Sequence, residues 1–441
     1  MEPSTAGTAL APAPSETGSP EAPWSPALRV LFRFAFCYLL LYVLPFPLKQ
    51  LDFLSPLAAP WGRLWAAVVP PVGQWVFGVE AIQHPSGSSD TMFAYVRLFC
   101  FLVLSAVVTL VWTLLDRNRR HYRPLHRWLS AYVRLLLGTM MVIYGADKVI
   151  KSQFAGPDLD RLIQPFGDAS PMGLLWTFMG ASVSYNVFTG MAELAGGLLL
   201  TTRRTALLGA LVTMGAMAHV VALNFSYDVP AKIFSVHLLL AAVFVALPHL
   251  AGLASLFVLN RPTEARPLPA LFQSPRWHRG ALLARTLFVA WIIGNAFHSS
   301  YVDRALWGDG TPRPSIYGVW NVEEFETDGE VRPQLLSDES RWRRVVFDHP
   351  SWLGIQRMDD DVESIIMELD EEQRTIQATL RQNPGWSTTT LTYERPEPGV
   401  LIISGPFEKQ QVRARLVRQE GKEFLLTSRG FHWVSEYPFN R

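Results

Sequence analysis

A few ionisable residues interrupt the long apolar runs between residues 185 and 250 of this 441-residue chain. Among them are Glu193, His219, Asp228, Lys232 and His237. A charge inside such a run is unfavourable by several kcal/mol unless it is paired or solvated. Each of them is therefore a candidate functional position. Carboxylate and imidazole groups that share a buried site are suited to binding and moving protons near neutral pH.

Seven apolar runs must position these residues. A bilayer-spanning helix needs roughly 20 apolar residues, so the pattern predicts a membrane all-α helical bundle over residues 27–301. The first 26 residues are rich in Pro, Ala and Ser, lack Lys and Arg, and are predicted to form a disordered tail. The runs cover about residues 28–48, 93–115, 129–150, 172–200, 205–224, 232–256 and 281–301.

A tryptophan-rich stretch separates the first two runs. Residues 61–78 read WGRLWAAVVPPVGQWVFG, which is too short and too interrupted by proline to cross a bilayer. We expect this stretch to be interfacial or re-entrant, and its composition leaves both possibilities open.

Arginine-rich connections follow every second run. The connection after the second run, DRNRRHYRPLHR, carries five arginines, the fourth run is followed by TTRRT, and the sixth by Arg261, Arg266, Arg276 and Arg279. Basic loops stay in the cytoplasm. We therefore predict a multi-pass protein of a bacterial inner membrane with a cytoplasmic N-terminus and the C-terminal domain outside the cytoplasm. A reporter that is active only outside the cytoplasm should work when fused after Arg441, whereas cytoplasmic activity would contradict this topology.

The C-terminal part, residues 310–441, changes to period-two alternation. Ile376, Ala378 and Leu380 alternate with polar residues, and roughly nine such segments are separated by turn signals. An all-β domain follows, either an antiparallel barrel or a sandwich. Its start, YGVWNVEEF, resembles the GxW start of lipocalin-like barrels. A barrel of this size either holds one small apolar ligand or is filled by its own side chains.

Composition excludes several classes of function. Lysine plus arginine (39) nearly balances aspartate plus glutamate (38), so bulk charge gives no argument for nucleic-acid binding. The two cysteines, Cys37 and Cys100, lie in apolar runs and form no CxxC motif, and we predict no metal site.

The predicted topology places a polar layer towards the outer leaflet. Glu193 and His219 are its predicted proton-handling pair. Asp147, Lys148, Asp228 and Lys232 have the simpler alternative of anchoring at the interface by snorkelling. Glycines near Glu193, and Gly209 and Gly215 on the next run, would allow close helix contact. The candidate pocket consists of Tyr144, Glu193, His219, Asn224, Lys232 and His237.

Three sequence blocks carry a resemblance to the DoxX-like family of integral membrane proteins. They are YGADKVIKSQF, AELAGGLLL with its RR turn, and ALNFSYDVPAKIFSVHLLL, within residues 128–250. The resemblance implies a four-helix membrane core and, for some members, quinone-coupled oxidation of sulfur compounds or redox-stress complexes. The extra helices and the β domain depart from the minimal family pattern.

Two functions from different classes follow. In the first, the protein is a membrane subunit of a redox system whose polar pocket contacts a quinone headgroup and whose electrons pass to or from a redox partner protein. In the second, the pocket and the outer β domain form a binding or transport module for a lipid or a small apolar molecule. A third option is an enzyme acting on a membrane-embedded substrate, with Lys232 or His237 as base.

Overall fold

A helical N-terminal part precedes an antiparallel β-barrel in this computed structural model, which describes residues 23–263, 271–381, 385–419 and 423–440. The tail predicted for residues 1–26 therefore lies almost wholly outside the described residues. Contacts divide the chain into two units, residues 1–84 with 91–133, and residues 85–90 with 134–441. The boundary falls within one long helix, and each unit is described by itself.

Twelve α-helices are present in the described residues. Several of them begin at a polar residue whose side chain accepts a backbone hydrogen bond from the first turn. At the start of α3, for example, the Thr91 hydroxyl accepts a hydrogen bond from the backbone N–H of Ala94. The helices are α1 (Pro26–Val43), α2 (Ala59–Val72), α3 (Met92–Leu115), α4 (Arg123–Val149), α5 (Leu159–Ile163), α6 (Pro171–Ala181), α7 (Val183–Thr201), α8 (Ala206–Ser226), α9 (Lys232–Ala246), α10 (Leu250–Phe257), α11 (Pro275–Trp307) and α12 (Leu425–Ser428).

Six stretches of the described chain are long and apolar enough to cross a membrane. They match six of the seven predicted runs. The remaining run, residues 172–200, is divided at Ser182, whose hydroxyl accepts the backbone N–H of Tyr185 and so begins α7. The six stretches are Pro26–Gln50, Met92–Leu115, Arg123–Val149, Ala206–Ser226, Lys232–Phe257 and Pro275–Trp307.

In the first unit, α1 packs along α3. Arg33 of α1 is buried, and its guanidinium donates to the hydroxyls of Tyr122 and Thr113 and to the backbone carbonyl of Asp116. The predicted interfacial or re-entrant stretch forms α2, whose 14 residues are too few to span a bilayer. Its buried face, with Trp65 and Val69, packs against α1 and α3.

In the second unit, α4 and α7 run antiparallel along their length. Gly145 near the end of α4 contacts Gly190 and Leu194 of α7, and Gly138 one heptad earlier contacts Gly197. Helix α7 then packs on α8, and α8 on α9. Although α7 is not among the six apolar stretches, it crosses the same layer of the unit as α4.

Eight antiparallel strands close into an up-and-down barrel, which settles the predicted choice between barrel and sandwich. Neighbours in sequence pair in order, and β1 closes the barrel on β9, with Trp320 opposite Arg418 and Thr327 opposite Val412. The short β2 is an extra strand on the end of β1. The strands are β1 (Gly318–Thr327), β2 (Glu330–Val331), β3 (Trp342–His349), β4 (Trp352–Arg357), β5 (Val362–Asp370), β6 (Thr375–Arg381), β7 (Trp386–Glu394), β8 (Val400–Phe407) and β9 (Gln410–Arg418).

Large apolar side chains fill the barrel interior. A single cluster of 22 buried residues draws on all eight barrel strands. Trp342 packs against Phe325 and Phe407 with ring centroids 5.3 and 4.9 Å apart. The indole of Trp320, from the GxW sequence, donates to the carbonyl of Ile316. The interior is thus a packed core of the kind that stabilises a domain.

Candidate functional site: a buried lysine–glutamate pair

Glu193, the predicted deepest carboxylate, forms a buried ion pair with Lys148. The Nζ of Lys148 on α4 lies 3.0 and 2.8 Å from the two carboxylate oxygens of Glu193 on α7. Lys148 is 6% exposed and Glu193 is 3% exposed. Both charges are therefore held away from water, and each makes the other tolerable there.

A glycine seam lets these two helices approach closely enough for the pair to form. A Cβ added at Gly190 would lie 2.8 Å from the carbonyl oxygen of Gly145 and 2.8 Å from the Cβ of Lys148. One at Gly197 would lie 2.9 Å from the carbonyl oxygen of Gly138. Any larger residue would push α4 and α7 apart, so the seam sets the distance between the two charges.

Tyr144 lies one turn before Lys148 on α4 and borders the pair. The Lys148 ammonium is 5.7 Å from the centre of the Tyr144 ring, within the range of a cation–π contact. The same ring is 6.1 Å from that of Phe234 on α9. The aromatic side chain thus covers the ammonium on the side towards α9.

A second hydrogen-bonded group lies beside the pair on α4. The carboxylate of Asp147 accepts from the hydroxyl of Ser300 on α11 at 2.7 Å and from that of Ser152 at 3.2 Å. Lys151, in the loop that follows, pairs with Asp309 at 2.7 Å. Asp147, Lys148 and Lys151, at and just after the end of α4, therefore make three different contacts.

Asn186, seven residues before Glu193 on α7, was not predicted. It is fully buried, and its amide nitrogen donates to the backbone carbonyls of Met179 and Phe154. Its side-chain oxygen is also buried and has no hydrogen-bond partner in the structure. Because Asn186 and Glu193 are seven residues apart, they lie on the same face of α7. This face therefore carries two buried polar side chains, one of which has an unsatisfied acceptor.

The predicted pocket residues on α8 and α9 form a separate cluster. Asn224 donates to the hydroxyl of Ser235, and the imidazole of His237 contacts the carbonyl of Ile233. Lys232 pairs with Asp228 at 2.8 Å, and this hydrogen bond lowers the pKa of the exposed Asp228 carboxyl. The interfacial role of Lys232 and Asp228 stays a prediction.

Asp90 caps the start of α9, beside this cluster. Its two carboxylate oxygens accept from the backbone N–H groups of Lys232 and Ile233, the first residues of α9. A carboxylate at a helix start satisfies otherwise unpaired donors and favours the helix dipole. Sequence analysis missed this contact because Asp90 is separated from α9 by 142 positions.

Three expectations are corrected by the structure. The predicted contact between Glu193 and His219 is not formed within the described residues: His219 is exposed on α8, and Lys148 holds both oxygens of Glu193. Lys148, predicted to snorkel, is buried because Glu193 neutralises it. Gly215, predicted to allow close helix contact, has open space around it, whereas Gly209 lies against Leu199 and Leu200.

The described residues include no group of three or more His, Cys, Asp or Glu that is placed to hold a metal ion. The polar groups that converge are a primary ammonium, a carboxylate and a phenol ring. Such groups can donate a hydrogen bond, accept one and exchange a proton, which suits a ligand with a carbonyl or hydroxyl group.

No family model matches this chain. A curated relative, described as the uncharacterized protein YwoB of Bacillus subtilis (strain 168), is 26% identical over 134 residues. The match covers 30% of this chain and 84% of that relative, so the likeness concerns one section of the chain. No solved structure matches.

Proposed function

We propose that the protein is a DoxX-like membrane subunit of a quinone-linked redox system, and that the Lys148–Glu193 pair is its headgroup site. The observation that carries the proposal is the burial of this pair between α4 and α7. Two apolar side chains would fill the same space without the unfavourable free energy of desolvating two charges. A buried ion pair between two membrane helices is by default a candidate for function.

The pair supplies what a quinone headgroup requires. Reduction of a quinone to a quinol takes up two electrons and two protons; a redox partner protein supplies the electrons, and water supplies the protons. Lys148 donates a hydrogen bond to the quinone oxygen on which negative charge develops, and Glu193 passes protons to it. Because Lys148 holds both oxygens of Glu193, the headgroup enters by replacing one of these contacts.

In the proposed topology, α7 crosses the membrane in addition to the six apolar stretches. Its antiparallel course along α4, from Gly190 beside Gly145 to Gly197 beside Gly138, supports this. Pairing with Lys148 also removes the net charge of Glu193, which explains why a membrane can accept a helix that hydropathy alone does not select. The other six helices and α7 together make seven crossings, and an odd number of crossings puts the barrel outside the cytoplasm, opposite a cytoplasmic N-terminus.

Native mass spectrometry of the full-length protein, extracted in mild detergent, tests the proposal. We expect a bound quinone in the wild-type protein and its loss in Glu193→Gln and Lys148→Gln. Asp228→Asn is the matched control, since Asp228 also pairs with a lysine but lies in an exposed turn. A different bound lipid, retained in the Glu193→Gln variant, would support the binding or transport alternative instead.

A double variant separates function from folding. Removing one partner leaves a buried unpaired charge and should destabilise the protein by about 3–5 kcal/mol. Lys148→Met combined with Glu193→Leu removes both charges and should restore most of that stability. Quinone binding should remain lost in the double variant. If the double variant binds quinone like the wild type, the headgroup site lies elsewhere.

A further inference from the structure

One end of the barrel contacts the last turn of α11. The Nε2 of His349, the final residue of β3, lies 3.0 Å from the carbonyl oxygen of Leu306, and the His349 ring stacks on that of Trp307 with centroids 5.8 Å apart. Gly318, the first residue of β1, pairs with Phe347 of β3. The start of β1 and the end of β3 therefore lie at this end of the barrel, which we call the near end.

The chain also leaves the barrel at the near end. Arg418, the last residue of β9, lies opposite Trp320 of β1, and the backbone N–H of Gln419 donates to the carbonyl of Val319. The apolar run of α11 ends at about residue 301, so Trp307 lies about 9 Å beyond it along the helix axis. The near end is therefore the end of the barrel that is closest to the membrane, and the segment after β9 starts there.

Residues 429–439 of that segment form what we call the aromatic loop. The guanidinium carbon of Arg429 lies 3.8 Å from the centre of the Phe439 ring and so closes the loop. The rings of Phe431 and Trp433 pack edge to face with centroids 5.0 Å apart. Trp433 is nevertheless 92% exposed, and Tyr437 is 84% exposed. Large rings that are held together in water indicate a surface for a partner.

The composition and the position of the aromatic loop fit a bilayer surface. Trp and Tyr rings are apolar with one polar group, and they are enriched at the level of the lipid headgroups. Between residues 424 and 440 the charged side chains are Arg429 and Glu436, so this segment carries no net charge that would favour one type of lipid. Trp433 follows Arg418 by 15 positions, which can span up to about 50 Å. The loop can therefore reach the headgroups beside α11.

We propose that the aromatic loop inserts Phe431, Trp433 and Tyr437 into the headgroup layer of the bilayer that holds the helices. The barrel is then attached to the membrane twice, through α11 before β1 and through the aromatic loop after β9. Because β1 and β9 are neighbours in the closed barrel, both attachments act on the near end and hold it towards the lipid. This second attachment does not depend on the quinone site.

Fluorescence quenching of the full-length protein in nanodiscs tests this attachment. Cys37→Ser and Cys100→Ser remove both natural thiols, and Ser435→Cys, at an exposed position of the aromatic loop, then carries a bimane label. Each nanodisc holds one copy of the protein in phosphatidylcholine with a nitroxide on part of the headgroups. We expect the label at position 435 to lose fluorescence. Lys409→Cys, in the β8–β9 turn and about 30 Å away along β9, is the control and should keep it.

A triple variant tests whether the three rings make the attachment. Phe431→Ser, Trp433→Ser and Tyr437→Ser together should abolish the quenching at position 435. Trp386→Ser is the matched control, because it removes an exposed indole at the start of β7, at the other end of the barrel, and should leave the quenching unchanged. The three rings are exposed and follow the last strand, so hydrogen–deuterium exchange of barrel peptides should not change in the triple variant.

Several outcomes would overturn the proposal. A label at position 435 that is not quenched when the rings are intact, or that is still quenched in the triple variant, would show that the rings do not enter the headgroup layer. Quenching that requires two copies in one nanodisc would assign the loop to a second copy of the chain. Because the loop has no net charge, quenching should be equal in phosphatidylcholine and phosphatidylglycerol. Quenching that occurs only in phosphatidylglycerol would show that charge, and not the rings, makes the contact.

Discussion

The helical bundle and the barrel differ in the polar side chains that they bury. The barrel interior is a single apolar cluster, whereas the helices enclose a lysine, a glutamate and two asparagines. In the barrel, burial of apolar surface is the main source of stability. In a bilayer the surroundings are already apolar, so buried polar groups are informative about helix contacts and function.

Two large polar side chains are nevertheless buried in the β domain. Arg341 is 1% exposed and donates to the backbone carbonyls of Arg332, Trp342 and Val322. Gln356 is fully buried and binds Arg344 and Asp360. These groups are satisfied by the barrel itself, and Arg341 fixes the turn region before β3. In the bundle, Asn186 keeps an unsatisfied oxygen close to the ion pair.

The largest expected effect is in the barrel core. Trp342→Ala should destabilise the barrel by about 3–5 kcal/mol, because it removes a fully buried ring that contacts Phe325 and Phe407. Hydrogen–deuterium exchange of the full-length protein should show faster exchange in barrel peptides and unchanged exchange in α4 and α7. Trp386→Ala, at an exposed ring on β7, is the control and should change stability by less than about 0.5 kcal/mol. Faster exchange in α4 as well would show that the two regions unfold together.

A smaller effect is expected at the glycine seam. Gly190→Ala places a methyl group against the backbone of α4 and should destabilise the bundle by about 1–3 kcal/mol. Gly215→Ala on α8 meets open space and should be neutral or slightly stabilising, since alanine favours helix. Thermal unfolding midpoints in detergent compare the two variants. Equal midpoints would mean that α4 and α7 do not depend on close approach.

The smallest effect concerns the loop where the α4–α6 connection meets the barrel. Asp348 of β3 accepts the backbone N–H of Leu159, and Asp158 lies beside it at the start of α5. Partial burial, then the nearby charges of Asp348 and Asp160, raise the pKa of Asp158 to about 7, and Arg161 opposes this shift. Burial also raises the pKa of Asp348. Asp158 nevertheless keeps part of its surface in contact with water.

A raised carboxyl pKa means that the folded protein binds the proton more tightly than the unfolded chain. The contribution of Asp158 to stability is therefore greatest at low pH and is lost as pH rises from about 4 to about 7. We expect Asp158→Asn to raise the unfolding midpoint relative to wild type above pH 7 and to lose this advantage near pH 4. Solvent screening should keep the difference below about 1 kcal/mol. A difference that does not vary with pH would show that Asp158 titrates alike in both states.

Much of the architecture follows from local patterns. Apolar runs of bilayer length predict the spans, and period-two alternation predicts the strands, because both depend on which faces of an element are buried. Barrel closure, in contrast, does not follow from a local pattern. The pairing of β1 with β9 joins residues almost 100 positions apart, and no local pattern distinguishes that pairing from a sandwich.

The site is less predictable than the fold. Glu193 is identifiable because a carboxylate in the middle of an apolar run has no short route to water. Its partner is not, because Lys148 lies at the end of a run, where snorkelling is the common outcome. Docking of Gly145 on Gly190 decides the pairing. His219 was predicted to line the pocket and does not. Its depth along α8 is that of a pocket residue, but its side chain lies on an exposed face of the helix.

Closure of the barrel also sets an order of assembly. Strand β1 is the first barrel strand after α11, yet its partner β9 is the last of the barrel strands to leave the ribosome. Until β9 arrives, β1 and β8 each present an unpaired edge that can recruit another chain. Contacts of such long sequence separation also form slowly. The membrane helices therefore insert while the barrel is still open. A chain that stalls before residue 410 stays anchored in the bilayer with the edges of β1 and β8 unpaired.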